Sequence, residues 1–231
     1  MKTIGLIGGT TWHSTIDYYR YLNELTNIKY GSDHSAKIIL NSVDYGEIVP
    51  LTKAGDWNSI AAIMTKSARN IELAGADCVL LCANTMHHRA EEVQAAVNIP
   101  LIHIADTVVE EIKKKDIHTV ALLGTKYTML LPFYRNKLEA AGIKFLVPSA
   151  DDIEYLNDAI YNEMGKGIFN DDTRKKIIEI ITDLQHEGAA GAILGCTELP
   201  ILIKPEHIAV QLFDTTFIHC QAAMHFVSDK A

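Results

Sequence analysis

Short apolar runs that stop at small or hydroxylic residues alternate along this chain with stretches whose apolar positions recur every three or four residues. The first pattern predicts buried strands and the second amphipathic helices. Residues 2–8 predict a first strand with a Gly8-Gly9-Thr10-Thr11 turn after it. Ser14 or the polar residues before it are placed to cap a helix through Tyr18, Tyr19, Leu22 and Leu25. A second strand is predicted over 37–41, and a long connection over 43–56, where Pro50 and Gly55 read as breakers. Ile60, Ile63, Met64, Ala68 and Ile71 predict a helix over 57–74 that stops at Gly75. Strands are then predicted over 77–83 and 100–104, with a helix over about 85–97 between them. A further helix ends in Lys113, Lys114 and Lys115, which complement its C-terminal dipole.

The pattern then restarts. Thr119-Val120-Ala121-Leu122-Leu123-Gly124-Thr125 mirrors Ile4-Gly5-Leu6-Ile7-Gly8-Gly9-Thr10, and Phe133-Tyr134-Arg135 falls where Tyr18-Tyr19-Arg20 fell. A strand is predicted near 144–147, helices over about 152–164 and 172–187, and strands over 190–195 and 209–213. Gly75-Ala76-Asp77-Cys78-Val79-Leu80-Leu81-Cys82-Ala83-Asn84-Thr85 is echoed by Gly188-Ala189-Ala190-Gly191-Ala192-Ile193-Leu194-Gly195-Cys196-Thr197-Glu198. Ile104-Ala105-Asp106-Thr107 is echoed by Leu212-Phe213-Asp214-Thr215. Landmarks matched in the same order indicate an internal duplication. The predicted fold class is therefore α/β, with two pseudo-symmetric lobes. Each lobe is a small parallel sheet flanked by helices, and the active site is expected in the cleft between them. The lobes are expected over 1–104 plus 214–231 and over 105–213.

Composition narrows the partners. The 231 residues are 48% hydrophobic and 22% charged, enough for one large domain or two small ones. A formal net charge of −8 argues against nucleic acid or an anionic membrane as the main partner, since both reward basic patches. No apolar run approaches the ~18–20 residues that span a bilayer. Four cysteines behind a start too short and Gly-rich for a signal peptide predict free thiols and a cytoplasmic location. The ten histidines show no metal spacing, so no metal is expected. His87 and His88 would point about 100° apart on a helix. His87 is read as bracing its loop.

Ligands of open α/β sheets bind beyond the carboxyl ends of the strands. Those ends are Gly8-Gly9-Thr10-Thr11, Ala83-Asn84-Thr85, Gly124-Thr125 and Gly195-Cys196-Thr197-Glu198. Their helix-opening amides can hold carboxylates without net positive charge. Cys78 and Cys220 read as buried apolar residues and Cys82 as core-facing. Cys196 ends a strand beside Thr197 and Glu198, where a helix N-terminus is expected to lower its pKa.

Asn84-Thr85-Met86-His87 after one strand, with Gly195-Cys196-Thr197-Glu198-Leu199-Pro200 near the C-terminus, resembles the aspartate/glutamate racemase superfamily. Gly8-Gly9-Thr10, Leu123-Gly124-Thr125 and Phe213-Asp214-Thr215 agree, so the likeness spans essentially the whole chain and is nearest to the aspartate racemase branch. The resemblance implies a cofactor-independent racemase acting on an acidic amino acid, aspartate or glutamate, in a homodimer. One group removes the α-proton and another returns a proton to the opposite face. Cys196 is the implied acid/base. The implied substrate contacts are Thr10, Thr11, Asn84, Thr85, Thr125, Thr197 and Glu198, with Thr52 or Lys53 and Glu163 beside them.

At the position of the family's first catalytic cysteine or threonine stands Ala83. A methyl group can neither take nor give a proton. Three readings compete. In the first, a racemase draws its second proton from water, from Thr85 or Thr10, or from Cys82. In the second, Cys196 alone performs one-face chemistry of the kind that arylmalonate decarboxylase implies. In the third, the protein binds an amino acid without turnover, as a natural or engineered variant lacking one acid/base would. A binding protein built of two ligand-clamping lobes is the non-enzymatic alternative.

Overall fold

The computed structural model describes residues 1–228. Two compact units divide the described chain, one formed by residues 1–104 with 219–228, the other by residues 105–218. Among the described residues the first holds a parallel sheet of β1 (Ile4–Gly8), β2 (Ile38–Ser42) and β3 (Cys78–Leu81), in the order β2-β1-β3. Ile4 pairs with Ile38 on one side and Cys78 on the other.

Period-2 alternation sends the side chains of these strands to two cores. Ile7, Val79 and Leu81 pack with Ile60, Met64, Ala68 and Ile71 of α3 (Trp57–Leu73). Ile4, Leu6, Cys78, Leu80 and Cys82 pack with Tyr18 and Leu22 of α1 (Trp12–Tyr30) and with Cys220, Ala223, Met224 and Val227 of α11 (Thr215–Ser228). Both sheet faces are therefore covered, which is why the strands read as continuous apolar runs. Each fully buried Leu, Ile or Met contributes on the order of 1.5–3 kcal/mol. Cys82 lies on the Cys78–Leu80 face, inside a core.

The second unit repeats the wiring. Its parallel sheet runs β5-β4-β6-β7, from β4 (Thr119–Gly124), β5 (Lys144–Leu146), β6 (Gly191–Gly195) and β7 (Gln211–Asp214). Helices α8 (Ala150–Asn162) and α9 (Asp171–His186) follow β5, and α9 buries Ile177, Ile181 and Leu184 at helical spacing. The helix after β4 is broken in two, α6 (Lys126–Leu130) and α7 (Pro132–Ala140), because Pro132 cannot continue the α6 hydrogen-bond ladder.

Two expectations need correction. Residues 43–56 are not a connection: Tyr45–Ala54 is a helix, α2. The Asp44 carboxylate caps it by accepting from the Gly46 amide at 2.9 Å, and Gly55 ends it in the left-handed conformation, with φ of 70°. Pro50 removes only one amide, and burial of Ile48 and Thr52 carries the helix past it. The strand expected over 100–104 shrinks to one bridge, Val79 to Leu101. Pro100 has no amide to donate, and α5 (Ile104–Lys114) begins three residues after Leu101. That bridge occupies the place beside β3 that β7 occupies beside β6.

Candidate active site

Each unit presents the carboxyl ends of its central strands as a cluster of small polar residues. In the first unit the chain leaves β1 through Gly9, whose φ of 89° suits glycine alone. A Cβ there would also lie 2.1 Å from the Val43 carbonyl oxygen. The Gly9 amide donates to Thr15 Oγ1 at 2.9 Å. Ser14 Oγ donates to the Thr11 carbonyl at 2.9 Å and reaches the Cys82 carbonyl at 3.3 Å, so one hydroxyl joins the ends of β1 and β3. Thr11 itself makes no side-chain capping bond to α1, although its hydroxyl lies 3.2 Å from Ser14 Oγ. Thr10 is buried, and its Oγ1 makes no hydrogen bond within the protein.

The β3 end continues through Ala83 into Asn84 and a tight helical turn over Thr85–Arg89, with α4 (Ala90–Ala95) after it. Ala83 is half-buried and packs against the α3-side core, while Asn84 and Thr85 are buried. His87 braces this turn. Its Nδ1–H donates to the Ala83 carbonyl at 3.0 Å, and its amide donates to the Asn84 carbonyl at 3.0 Å. A carbonyl can only accept, so Nδ1 carries the proton and Nε2 is a bare acceptor, buried and without a hydrogen bond. The His87 ring packs edge-on against His103 and His219, with centroids 4.8 and 5.5 Å away. His219 is fixed the same way: Nε2–H donates to the Ile102 carbonyl at 2.7 Å, and Nδ1 accepts from the Tyr18 hydroxyl at 2.8 Å. Burial holds His87 far below the ordinary histidine range, with His103 and His219 adding to the effect. Burial likewise pulls His219 down to about 3. No group of three or more metal-ligating side chains comes together among the described residues.

In the second unit β4 and β6 end together at Gly124 and Gly195, which face each other in register. A Cβ on Gly195 would lie 2.6 Å from the Leu123 carbonyl oxygen and 2.9 Å from Thr128 Cγ2. Glycine at this pair lets Thr128 close over the strand ends. Thr125 caps α6 by accepting from the Thr128 amide at 3.3 Å. Beyond Gly195, Cys196 Sγ donates to Glu198 Oε2 at 2.9 Å, and Thr197 Oγ1 donates to the same oxygen at 2.9 Å. All three residues are buried, Cys196 at 9% exposure and Glu198 at 3%.

This geometry reverses the expected ionisation of Cys196. Burial pushes its thiol well above the ordinary cysteine range, and the Glu198 carboxylate pushes the same way. The Thr197 and Glu198 amides pull it down but are outweighed. The helix behind it, α10 (Leu199–Leu202), is a single turn and supplies little dipole. Cys196 rests as a protonated thiol. Cys78 and Cys82 are also raised by burial, Cys78 to about 12. All four cysteines are free and buried.

Three expected substrate contacts are otherwise engaged. Thr52 is buried in α2 and its hydroxyl donates to the Ile48 carbonyl at 2.9 Å. Glu163 accepts from Asn170 Nδ2 at 2.8 Å and Thr173 Oγ1 at 2.6 Å, which ties it to the start of α9. Glu198 is a carboxylate already bonded to the thiol, and a second carboxylate beside it would be repelled. Thr15 and Thr128 were missed as braces of the two strand-end clusters. The Thr125-x-x-Thr128 spacing is a capping signal that finds one of them.

Residues 7–223 match the model of the Asp/Glu/hydantoin racemase family. The chain belongs to that family. Among solved structures, this racemase-family chain is similar to a Yersinia pestis protein described as a candidate Asp/Glu racemase. The two are 42% identical, with 99% of this chain and 100% of that one covered and a TM-score of 0.92. It is also similar to an aspartate racemase homologue from Pyrococcus horikoshii, at 36% identity, 99% and 100% coverage and a TM-score of 0.87. The broad specificity amino-acid racemase RacX of Bacillus subtilis is 24% identical over 147 residues, 60% of this chain. That match spans 61% of the relative, less than two thirds of its length. The α/β fold with two small parallel sheets is the fold of these racemase-family neighbours.

Proposed function

We propose that this racemase-family protein is a cofactor-independent enzyme that moves the α-proton of an acidic amino acid through the Cys196 thiol. The observation that carries this reading is the buried Cys196–Glu198 pair at the end of β6, a thiol bonded to a carboxylate at 2.9 Å in a chain of this family. A protonated thiol suits the donor half of such chemistry, since it can deliver a proton to a carbanion. Run in reverse, its thiolate removes one. In the second unit the amides around Thr125 and Thr197 are the neutral donors proposed for a substrate carboxylate and the enolate-like charge beside Cys196, and in the first unit the buried Thr10 hydroxyl and the amides around Thr11, Asn84 and Thr85 form the matching cluster. Glu163 and Thr52 are better read as braces of α9 and α2. Aspartate or glutamate is the substrate class that the relatives' names support.

A second reading has its own support. Ala83 offers no proton at the first unit's strand end, and Cys82 beside it faces a core among Tyr18, Leu22 and Leu80. Chemistry from one face only, by Cys196, follows if water or a neighbouring hydroxyl does not serve the other.

Solvent exchange separates the readings. L- and D-aspartate and glutamate are incubated in D2O and followed by NMR and chiral chromatography. Exchange with inversion supports racemisation, and exchange with retention supports one-face chemistry. Binding without exchange for any substrate would refute both. Cys196→Ala is expected to lower exchange at least 10²–10⁴-fold, the usual worth of a positioned acid/base. Activity surviving that change would remove Cys196 from the mechanism.

A further inference from the structure

We propose that the open edge of the first unit's sheet, strand β2, is where two copies of this chain join, each pairing its β2 antiparallel to that of the other. β2 is the outer strand in the order β2-β1-β3. In a parallel ladder alternate residues of a strand bond to the same neighbour. The Lys37 carbonyl accepts from the Ile4 amide at 2.8 Å and the Val43 amide donates to the Gly8 carbonyl at 2.9 Å, so the odd-numbered residues of β2 face β1. Ile38, Leu40 and Ser42 therefore turn their amides and carbonyls outward, and none of these groups has a partner among the described residues. A row of that kind is a template for another strand. Proline, a charge or a covering element usually blunts such an edge. Here Ile38–Ser42 holds neither proline nor charge, and Leu40 at its centre is 48% exposed.

A second copy of the chain fits this edge. An antiparallel pair centred on Leu40 is symmetric about a two-fold axis, so it uses up both edges and stops at two. It sets Ile38 opposite Ser42 of the other copy and Leu40 opposite Leu40, and every outward amide meets an outward carbonyl. The ends match in charge as well. Lys37 lies before the strand and Asp44 after it, both exposed and neither in an ion pair among the described residues. Antiparallel pairing brings the cationic end of one copy to the acidic end of the other, which adds little affinity but fixes direction. Apolar surface flanks the edge. The Thr15 and Leu40 side chains meet over Gly8, where a Cβ would lie 2.5 Å from Thr15 Cγ2 and 2.9 Å from Leu40 Cδ1. On α1 beside Thr15, Trp12, Ile16 and Tyr19 are 61%, 53% and 58% exposed. They recur at i, i+4 and i+7, one stripe of the helix. Aromatic residues are enriched at protein interfaces. A stable dimer takes about 800 Å² from each copy, more than a lone edge strand offers, and the α1 stripe beside Leu40 enlarges the contact.

Sedimentation velocity of the full chain is the test, from about 100 μM down to about 1 μM, the weak end for interfaces of standard size. The wild type is expected to run at twice the chain mass at the upper concentration. Leu40→Lys places like charges on the axis and removes the apolar contact from both copies. It is expected to weaken association about 10²-fold or more and to run as a monomer. Leu40→Cys tests the register. Opposite residues of an antiparallel pair have Cα atoms about 4.5–5.5 Å apart, within reach of a disulfide. Mild oxidation is expected to convert this variant to a covalent dimer on non-reducing gels. Lys37→Cys is expected not to cross-link, because its two copies would stand roughly 20 Å apart in that register. The four natural cysteines are buried, so the background is low. A wild type that stays monomeric at the upper concentration overturns the proposal. So does a dimer that Leu40→Lys leaves intact, or equal cross-linking of the two cysteine variants. A mass that keeps growing with concentration also overturns it, since that marks an open assembly in place of a closed pair. If Leu40→Lys does not fold, the cysteine variants decide alone, because this register requires cross-linking at 40 and none at 37. None of these outcomes depends on catalysis, so the function proposed above stands or falls separately.

Discussion

At the residue scale, one methyl group separates the two strand ends. Ala83 and Cys196 follow β3 and β6 at matching places in the duplicated pattern, but only Cys196 can move a proton. Ala83→Cys is expected to raise racemisation of the preferred acidic amino acid by about 10²–10⁴-fold, the range a positioned acid/base supplies. Chiral chromatography of L-to-D conversion measures it, with Ala83→Ser as a control of similar bulk and much lower acidity. An inert Ala83→Cys protein that folds and binds substrate would show that more than one proton-transferring group is missing. Position 83 was legible in the sequence because the duplication aligns it with Cys196. The ionisation of Cys196 was not. Its direction follows from burial and from a contact to Glu198 two residues on, and an i,i+2 spacing after a strand does not say where either side chain turns. Thr52 and Glu163 have local partners that the sequence does not show. The Thr52 hydroxyl turns to its own i−4 carbonyl, and the Glu163 carboxylate accepts from the side chains of Asn170, the α9 N-cap, and Thr173.

At the element scale, the strand ends are held by what lies beneath them. The β3 end rests on the neutral His87, whose ring packs against His103 and His219 in the first unit, and His219 is held in turn by the Tyr18 hydroxyl. His87 and His219 are both depressed below their unfolded value of about 6.5. Below that value the unfolded chain binds protons that these folded imidazoles refuse, so acid favours unfolding. The loss begins as pH falls through about 6.5 and continues for His219 down to about 3. Each such group contributes a slope of about 1.4 kcal/mol per pH unit inside its window. Thermal unfolding between pH 7.5 and 5 is expected to show a steadily falling Tm, and His219→Gln is expected to flatten that slope by roughly half. An unchanged slope in that variant would mean that other groups dominate the acid response. Strands and helices with strict periodicity were legible in the chain. The exceptions have local causes. The α2 helix was hidden because Pro50 and Gly55 read as breakers, although one only deletes an amide and the other stops the helix. The bridge at Leu101 looked like a strand because periodicity cannot register the missing Pro100 amide or the early start of α5. The imidazole cluster was illegible because His87, His103 and His219 are brought together by folding and follow no sequence period.

At the scale of the whole molecule, the repeated wiring turns the asymmetry between Ala83 and Cys196 into a stereochemical prediction. Sheet order is the same in both units through three strands, β2-β1-β3 and β5-β4-β6, and the fourth position is a bridge in one and β7 in the other. The two strand ends are of matching design, one in each unit. Inversion needs proton transfer on opposite faces of the substrate carbon, and a single thiol serves one face. A protein with only Cys196 should then exchange the α-proton of one enantiomer much faster than that of the other, because only one enantiomer presents its proton to that thiol. Moving the only site thiol, in the double variant Ala83→Cys with Cys196→Ala, is expected to reverse the preference. The measurement is initial deuterium incorporation into separate L- and D-substrate in D2O, before any back-conversion. The single variant Ala83→Cys, with both thiols, is expected to lose most of the preference and to convert one enantiomer into the other. If the double variant exchanges the same enantiomer as the wild type, position 83 does not address the opposite face and the two-sided reading fails.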